Sequence, residues 1–197
     1  MITLLKLIKL EVFGMKNIII LNFSGRKSGN CASVADVLKE LHNGTNVRDV
    51  RVSDKFHPCT DCDYECLRIG GKCPALDPEV EAIMQSVCDS DIVYYVIPNY
   101  CGVPCANYYA FNERSVGWFG GDREKMKRYM SAEKRFVFIT NTMSEAFKDV
   151  VRQQCSGNAE VLQLASRKYS KHSIDGDILD SKEAFAELER FVSTGNV

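Results

Sequence analysis

Runs of apolar residues that alternate with helix-like segments constrain the fold of this chain more than any other feature. Residues 18–21, 91–97 and 136–139 form three runs that are rich in β-branched and aromatic residues. Such runs are typical of strands that are buried on both faces, as in a parallel sheet. Two further strands are predicted at 47–52 and 161–165, of which the second is the weaker.

Segments with helical spacing lie between and after these strands. Apolar residues recur every three or four positions at 34–41, 76–87 and 184–192, and a further helix is expected to begin near Pro104. The alternation predicts an α/β fold, a parallel sheet with helices on both faces. In such sheets ligands bind beyond the carboxyl ends of the strands, where the strand order reverses. We therefore expect function in the loops after the first, third and fourth strands.

Composition excludes several classes of function. The 197 residues are 45% apolar and carry a formal net charge of −1. This balance gives no electrostatic basis for binding nucleic acid or a membrane surface. No apolar run is long enough to span a bilayer, and nothing near the start reads as a secretion signal. We expect a cytoplasmic protein with one domain at 15–197, and residues 1–14 are either an upstream extension or an extra strand.

The loop after the first strand has the composition of an anion-binding loop. It lies between a strand and the start of a helix, where free backbone N–H groups and the helix dipole favour an anion. Hydroxyl and amide donors and one planar cation add to these groups. An ordinary polar turn, with Asn30 capping the helix, is the alternative interpretation. The candidate binding residues are Ser24, Arg26, Ser28, Gly29, Asn30 and Cys31.

The order of residues in this loop resembles a known phosphate loop. The segment 24–31, Ser-Gly-Arg-Lys-Ser-Gly-Asn-Cys, is similar to the Gly-Ser-Pro-Arg, spacer, Gly-Asn-Thr pattern of the NADPH-dependent FMN reductases and iron–sulfur flavoproteins. Phe23, Gly25 and Cys31 stand where the family has Gly, Pro and Thr. The resemblance implies a flavodoxin-like fold with five parallel strands in the order 2-1-3-4-5. It also implies FMN as cofactor, NAD(P)H as co-substrate and a homo-oligomer.

The loop after the third strand resembles the segment of this family that borders the flavin ring. Residues 98–106 are similar to Pro-Val-Tyr-x-x-x-x-Pro, with one residue fewer before the second Pro, and 109–114 resemble the helix that follows. Backbone groups can bond the polar edge of the flavin, and Tyr100 can cover its apolar surface, unless Tyr100 is a core or lid aromatic. The candidate residues are Pro98, Asn99, Tyr100, Cys101 and Gly102, with Asn141 and Thr142 after the fourth strand.

Four cysteines between the second strand and the next helix form a compact cluster. Cys59, Cys62, Cys66 and Cys73 have the spacing C-x2-C-x3-C-x6-C. Four thiolates can hold a four-iron cluster or a zinc ion, and free or redox-active thiols are the third possibility. Iron–sulfur flavoproteins have a compact cysteine motif at this place, usually C-x2-C-x2-C. The resemblance therefore implies a [4Fe-4S] cluster in this loop.

Together these features predict an FMN-dependent oxidoreductase. Electrons would come from NAD(P)H or a protein donor and pass to a small-molecule or protein acceptor. No side chain stands out as an acid or base, which agrees with chemistry performed by the flavin. Two alternatives remain: a non-enzymatic electron carrier of the flavodoxin type, and a thiol-based or metal-bound regulatory module without flavin.

Overall fold

The computed structural model describes residues 15–54, 56–59, 62–68, 73–76, 78–155 and 159–194. Five strands form a parallel sheet: β1 (Asn17–Asn22), β2 (Asn46–Arg51), β3 (Ile92–Tyr100), β5 (Glu133–Thr140) and β6 (Ala159–Ala165). A two-residue strand, β4 (Val103–Pro104), pairs antiparallel with the end of β3. The order β2-β1-β3-β5-β6 equals the predicted 2-1-3-4-5 when only the parallel strands are numbered. The α/β flavodoxin-like prediction is confirmed.

Six α-helices connect or follow these strands within the described residues. They are α1 (Asn30–Leu41), α2 (Pro78–Asp89), α3 (Ala106–Phe119), α4 (Arg123–Ser131), α5 (Glu145–Gln154) and α6 (Lys182–Ser193). No described helix is long and apolar enough to cross a membrane. The extension or extra strand expected at residues 1–14 lies outside the described residues.

Alternate strand residues point into two separate hydrophobic cores, one on each face of the sheet. One core packs β-strand residues such as Leu21, Tyr95 and Phe138 against α2, α3 and α5. The other packs residues such as Ile20 and Val96 against α1 and α6. Both faces of the central strands are therefore buried, which explains why their sequences are continuously apolar rather than alternating.

The carboxyl edge of the sheet is stepped. β1 ends at Asn22, opposite Val96, whereas β3 continues to Tyr100. The apolar run in the sequence ends at residue 97, but the strand continues through Pro98, which pairs in register with Ile139 of β5. Beyond the end of β1, β3 has no neighbouring strand to bond on the side that faced β1. Proline, which has no N–H to donate, is therefore tolerated there.

Candidate functional site

The β1–α1 loop is held close to the sheet at its start and opens toward solvent afterwards. The Phe23 N–H donates to the Val96 carbonyl at 3.0 Å, and the buried Ser24 follows. The Ser24 N–H donates to Asn22 Oδ1 at 3.0 Å, and Ser24 Oγ accepts from the Arg26 N–H at 3.1 Å. These bonds use the polar groups of Ser24 inside the loop, so this residue shapes the loop from within.

The N-terminus of α1 lacks a side-chain cap. Its N-cap residue is Gly29, with φ 121°. No described side chain accepts a hydrogen bond from the first N–H groups of the helix, and the first turn has no acidic residue. The first N–H groups of a helix have no partner within the helix, and the helix dipole makes this end positive. The local structure thus fits an anion, as the loop sequence predicted.

Arg26 lies over this helix end. A Cβ added to Gly29 would stand 3.3 Å from the Arg26 Cζ, which places the guanidinium directly beside this helix end. Arg26 Nη1 donates to the Ile174 carbonyl at 2.7 Å, which uses one of five N–H donors. Ser28, also exposed, lies in the same loop. Arg26 and Ser28 are therefore open to a ligand at this position.

Asn30 has a different task from the one that the sequence indicated. It does not cap α1 but is its first residue, and it is buried. Its Nδ2 donates to the Ser173 carbonyl at 2.8 Å, and its Oδ1 accepts from the Ile178 N–H at 2.9 Å. Asn30 thereby ties α1 to residues 166–181, a segment after β6 that we call the strap.

The strap also holds the β5–α5 loop. Asn141 Oδ1 accepts from Ser166 Oγ at 3.1 Å and from Ser173 Oγ at 2.9 Å. A Cβ added to Gly176, which has φ 87°, would lie 3.0 Å from the Gly29 Cα. Asn141 therefore makes structural contacts, although both Asn141 and Thr142 are exposed. The strap was not foreseen from the sequence, which offers only a polar segment there.

The segment after β3 is a tight β-hairpin. Tyr100 pairs with Val103, and the turn residues Cys101 and Gly102 have φ 55° and 83°. The Gly102 N–H donates to Asn99 Oδ1 at 2.9 Å. Pro98 is buried beneath, while Tyr100 is 52% exposed at the carboxyl edge of the sheet. Tyr100 is therefore neither a core residue nor covered by described residues.

Two residues that were not among the candidate binding residues join this hairpin to the β1–α1 loop. Asn107 Nδ2 donates to the Phe23 carbonyl at 3.0 Å, and Cys105 Sγ lies 3.5 Å from the same oxygen. Burial, with a smaller contribution from Cys105, raises the pKa of the Cys31 thiol to about 12. Burial also raises the pKa of Cys105. These thiols stay protonated at neutral pH and act as packing groups.

The carboxyl end of β5 contributes a polar atom without a partner. Thr140 is buried, and its Oγ1 makes no hydrogen bond among the described residues. Unpaired buried hydroxyl groups are uncommon, because each costs free energy that a hydrogen bond would recover. Three features lie at this edge: the unpaired hydroxyl of Thr140, the uncapped N-terminus of α1 and the exposed side chain of Tyr100. Together they fit a site that receives a phosphate-bearing ring compound.

The cysteine loop packs against α3. Cys59 is exposed, and its N–H donates to Glu113 Oε2 at 2.9 Å. A Cβ added to Gly117 would lie 2.8 Å from the Cys73 Cβ and 3.9 Å from the Cys66 Cβ. Burial raises the pKa of Cys59, and the nearby thiols of Cys73 and Cys62 act in the same direction. Cys59, Cys66 and Cys73 therefore lie beside α3.

The described cysteines do not form a ready site for a single ion. No three described His, Cys, Asp or Glu side chains are arranged to hold a metal ion. Each thiolate of a four-iron cluster binds a different iron, so its four sulfurs stand further apart than the ligands of one zinc ion. The spacing of the four cysteines is therefore what bears on the choice between a cluster and a zinc ion.

A cavity of about 740 Å³ lies beside this loop. One wall contains Cys66, Leu67 and Arg68, and the other contains Phe119, Met126 and Tyr129. It borders the second half of α3, whereas the phosphate loop and the hairpin lie at the first residues of that helix. The cavity is separate from the candidate flavin site, and it leaves Cys66 accessible from solvent.

Comparison with known proteins supports the fold. No protein-family model and no curated protein matches the sequence. Among solved structures, the flavoenzyme NAD(P)H:(acceptor) oxidoreductase from Paracoccus denitrificans is 14% identical, with a TM-score of 0.58 over 91% of this chain and 94% of that one. An azoreductase from Bacillus anthracis is 10% identical, with a TM-score of 0.57 over 92% and 99%.

A third solved structure is named an NADH:FMN oxidoreductase in its apo form. It is 11% identical, with a TM-score of 0.53 over 91% of this chain and 88% of that one. At these identities the likeness is one of fold. The resemblance that the two loops indicated is confirmed at this level: the chain has the flavodoxin-like fold of these three solved structures.

Proposed function

We propose that this protein is an FMN-dependent oxidoreductase that takes electrons from NAD(P)H or a protein donor and passes them to an acceptor. One observation carries the proposal: Arg26 lies over the uncapped N-terminus of α1 at the same sheet edge where the hairpin presents Tyr100. The names of the three structural neighbours support this assignment.

The residues divide into those that touch the cofactor and those that position them. Arg26, Ser28 and the first N–H groups of α1 would hold the phosphate, and the hairpin backbone with Tyr100 would border the ring. Ser24, Asn30 and Asn141 use their polar atoms to fix the loops. When bound, FMN supplies the electron-transfer chemistry, and the protein orients it and tunes its potential.

Purified protein titrated with FMN and riboflavin tests this proposal. We expect FMN to bind more tightly, because riboflavin lacks the phosphate that Arg26 would contact. Rapid oxidation of NADH or NADPH in the presence of a quinone or azo acceptor would identify an enzyme. Bound FMN without turnover would identify an electron carrier instead, and a protein that binds neither flavin would contradict the proposal.

We further propose that Cys59, Cys62, Cys66 and Cys73 hold one [4Fe-4S] cluster. Support comes from the compact spacing of the four cysteines and from the position of Cys59, Cys66 and Cys73 beside α3. Anaerobic reconstitution should give about four irons and four sulfides per chain, and Cys62→Ser should lower both. Stoichiometric zinc, or four freely titrating thiols without iron, would rule the cluster out and leave a flavin-only protein.

A further inference from the structure

We propose that Arg114 is the positioning residue that assembles the cysteine loop into one binding site. The proposal rests on the cysteine cluster described above, but its geometry does not depend on flavin. Arg114 belongs to the middle of α3 and is only 7% exposed. A long cationic side chain is rarely buried unless its charge and its donors are used.

The guanidinium joins the two ends of the cysteine loop. Its Nε donates to the His57 carbonyl and its Nη2 to the Pro58 carbonyl, each at 2.8 Å. These carbonyls immediately precede Cys59. Nη1 lies 3.7 Å from the Sγ of Cys73, at the other end of the loop. One planar group thus fixes the start and the end of the cysteine segment relative to each other.

Neighbouring residues of α3 complete this attachment. Glu113 accepts the Cys59 N–H, and Gly117 leaves the space that Cys73 occupies. Residues three and four apart lie on one face of a helix, so Glu113, Arg114 and Gly117 present a continuous surface to the loop. A lysine could not replace Arg114 fully, because a compact ammonium lacks the rigid fork that reaches three acceptors.

The charge of Arg114 indicates what kind of occupant the loop receives. Its three described partners are two neutral carbonyls and a thiol, and no carboxylate of the described residues forms an ion pair with it. Burying a cation costs less when an anionic group lies beside it. A set of thiolates around a metal cluster is anionic and would lie beside the guanidinium, with Cys73 nearest to it.

Three variants test this role: Arg114→Met, Arg114→Lys and Arg68→Met. Arg68→Met is the matched control, because Arg68 is an exposed cation of the same loop that donates only to the Asp63 carbonyl among described residues. The first readout uses iron-free, reduced protein in which every cysteine except Cys59 and Cys73 has been replaced. A fluorogenic reagent that bridges neighbouring thiols reports whether these two cysteines are held together. The second readout is iron and sulfide content after anaerobic reconstitution of the complete chain.

Arg114→Met should abolish the bridging of Cys59 and Cys73 and weaken metal binding by about 10- to 100-fold, as loss of a residue that orients metal ligands does. Arg114→Lys keeps the charge and should fold. Its bridging of Cys59 and Cys73 and its iron and sulfide content should be intermediate between those of Arg114→Met and those of the unaltered chain. Arg68→Met should match the unaltered chain, and FMN affinity should stay unchanged throughout.

Several outcomes separate the two proposals. If the unaltered chain takes up no iron but bridging still depends on Arg114, the cluster is wrong and the positioning role stands. Bridging and iron content that are unaffected in both Arg114 variants would overturn the role of Arg114. If Arg114→Met does not fold, Arg114→Lys decides, and a value equal to that of the unaltered chain in both readouts would overturn the proposal.

Discussion

Arg26 is the residue on which recognition of the cofactor phosphate should depend. Its guanidinium is exposed, lies over the N-terminus of α1 and is steadied by one bond to the strap. We expect Arg26→Ala to weaken FMN by about 1.5–3 kcal/mol, the usual contribution of a hydrogen bond to a charged group. Titration by fluorescence quenching measures this loss directly.

Riboflavin and a neighbouring lysine provide the controls for Arg26. Riboflavin affinity should change much less in Arg26→Ala, since no phosphate is present. Lys27→Ala removes an exposed cation one position away and should have a smaller effect on FMN. Equal losses for both flavins would show that Arg26 does not contact the phosphate.

His42 makes the stability of the protein sensitive to acid. Its Nε2 lies 2.8 Å from the Tyr94 hydroxyl, which also accepts from the buried Arg135. Burial, followed by the charges of Arg135 and Lys16, lowers the pKa of His42 below its ordinary 6.5. The unfolded chain therefore binds a proton at a higher pH than the folded chain does. The free energy of unfolding should fall as the pH drops from 6.5 through the folded pKa.

His42→Gln tests this dependence. Glutamine can still bond the Tyr94 hydroxyl but does not titrate, so the decline in stability between neutral and acidic pH should become shallower. His172→Gln is the control, because His172 is exposed in the strap. Denaturant unfolding at several pH values measures both variants. An unchanged slope in His42→Gln would assign the acid sensitivity to another group.

At the scale of elements, the sequence predicted the sheet better than the connections. β1, β3 and β5 are buried on both faces, so each of them appears in the sequence as a continuous apolar run that predicts a strand. Helices α4 and α5 were missed. Both are short, with nine and ten residues, and α4 has no fully buried residue, although Asp122 caps it through the N–H groups of Glu124 and Lys125. Marginal amphipathic helices depend on tertiary packing, which a single sequence does not show.

The candidate site was foreseen in its loops but not in its internal contacts. Ser24 to Cys31 and Pro98 to Gly102 were assigned by resemblance, and the structure brings both segments to one edge. Asn30 and Asn141 were predicted to bind the cofactor, and the structure shows that both also bond the strap. Those bonds join residues 25 or more positions apart, and no local pattern encodes them.

The β3–β4 hairpin stores a local strain that can be relieved. Cys101 has φ 55°, a left-handed conformation that costs a β-carbon-bearing residue of this kind about 1 kcal/mol or more. Asn tolerates this conformation, and Asn-Gly is the preferred pair for such a two-residue turn. Cys101→Asn should therefore raise the free energy of unfolding by about 1 kcal/mol.

Gly102→Ala is the opposite test of the same turn. Gly102 has φ 83° and open space around it, so an added methyl group meets no atom and only the backbone conformation is penalised. A loss of about 1–2 kcal/mol is expected. If both substitutions leave urea unfolding unchanged, the turn does not have this conformation in solution.

At the scale of the whole molecule, the two edges of the sheet have different tasks. The amino edge contains the buried network of Tyr94, Arg135 and His42, in which Arg135 also binds the Phe191 and Val192 carbonyls at the end of α6. The carboxyl edge contains the open loops that would bind flavin. From Arg135 to Thr140 the strand rises about 16 Å, at roughly 3.3 Å per residue. The two edges should therefore contribute to stability and binding independently.

FMN should stabilise the whole fold, because the loops that would hold it come from separate β–α units. At a free concentration one hundred times Kd, a ligand that binds only the folded state adds about 2.7 kcal/mol. For a chain of this length, the midpoint of thermal unfolding should then rise by roughly 5–11 °C. Arg26→Ala should lower this rise at fixed FMN, and His42→Gln should not. In the double variant the two effects should add within about 0.5 kcal/mol, since the sites share no contact. A coupling larger than this would show that the amino edge influences the flavin site through the strands.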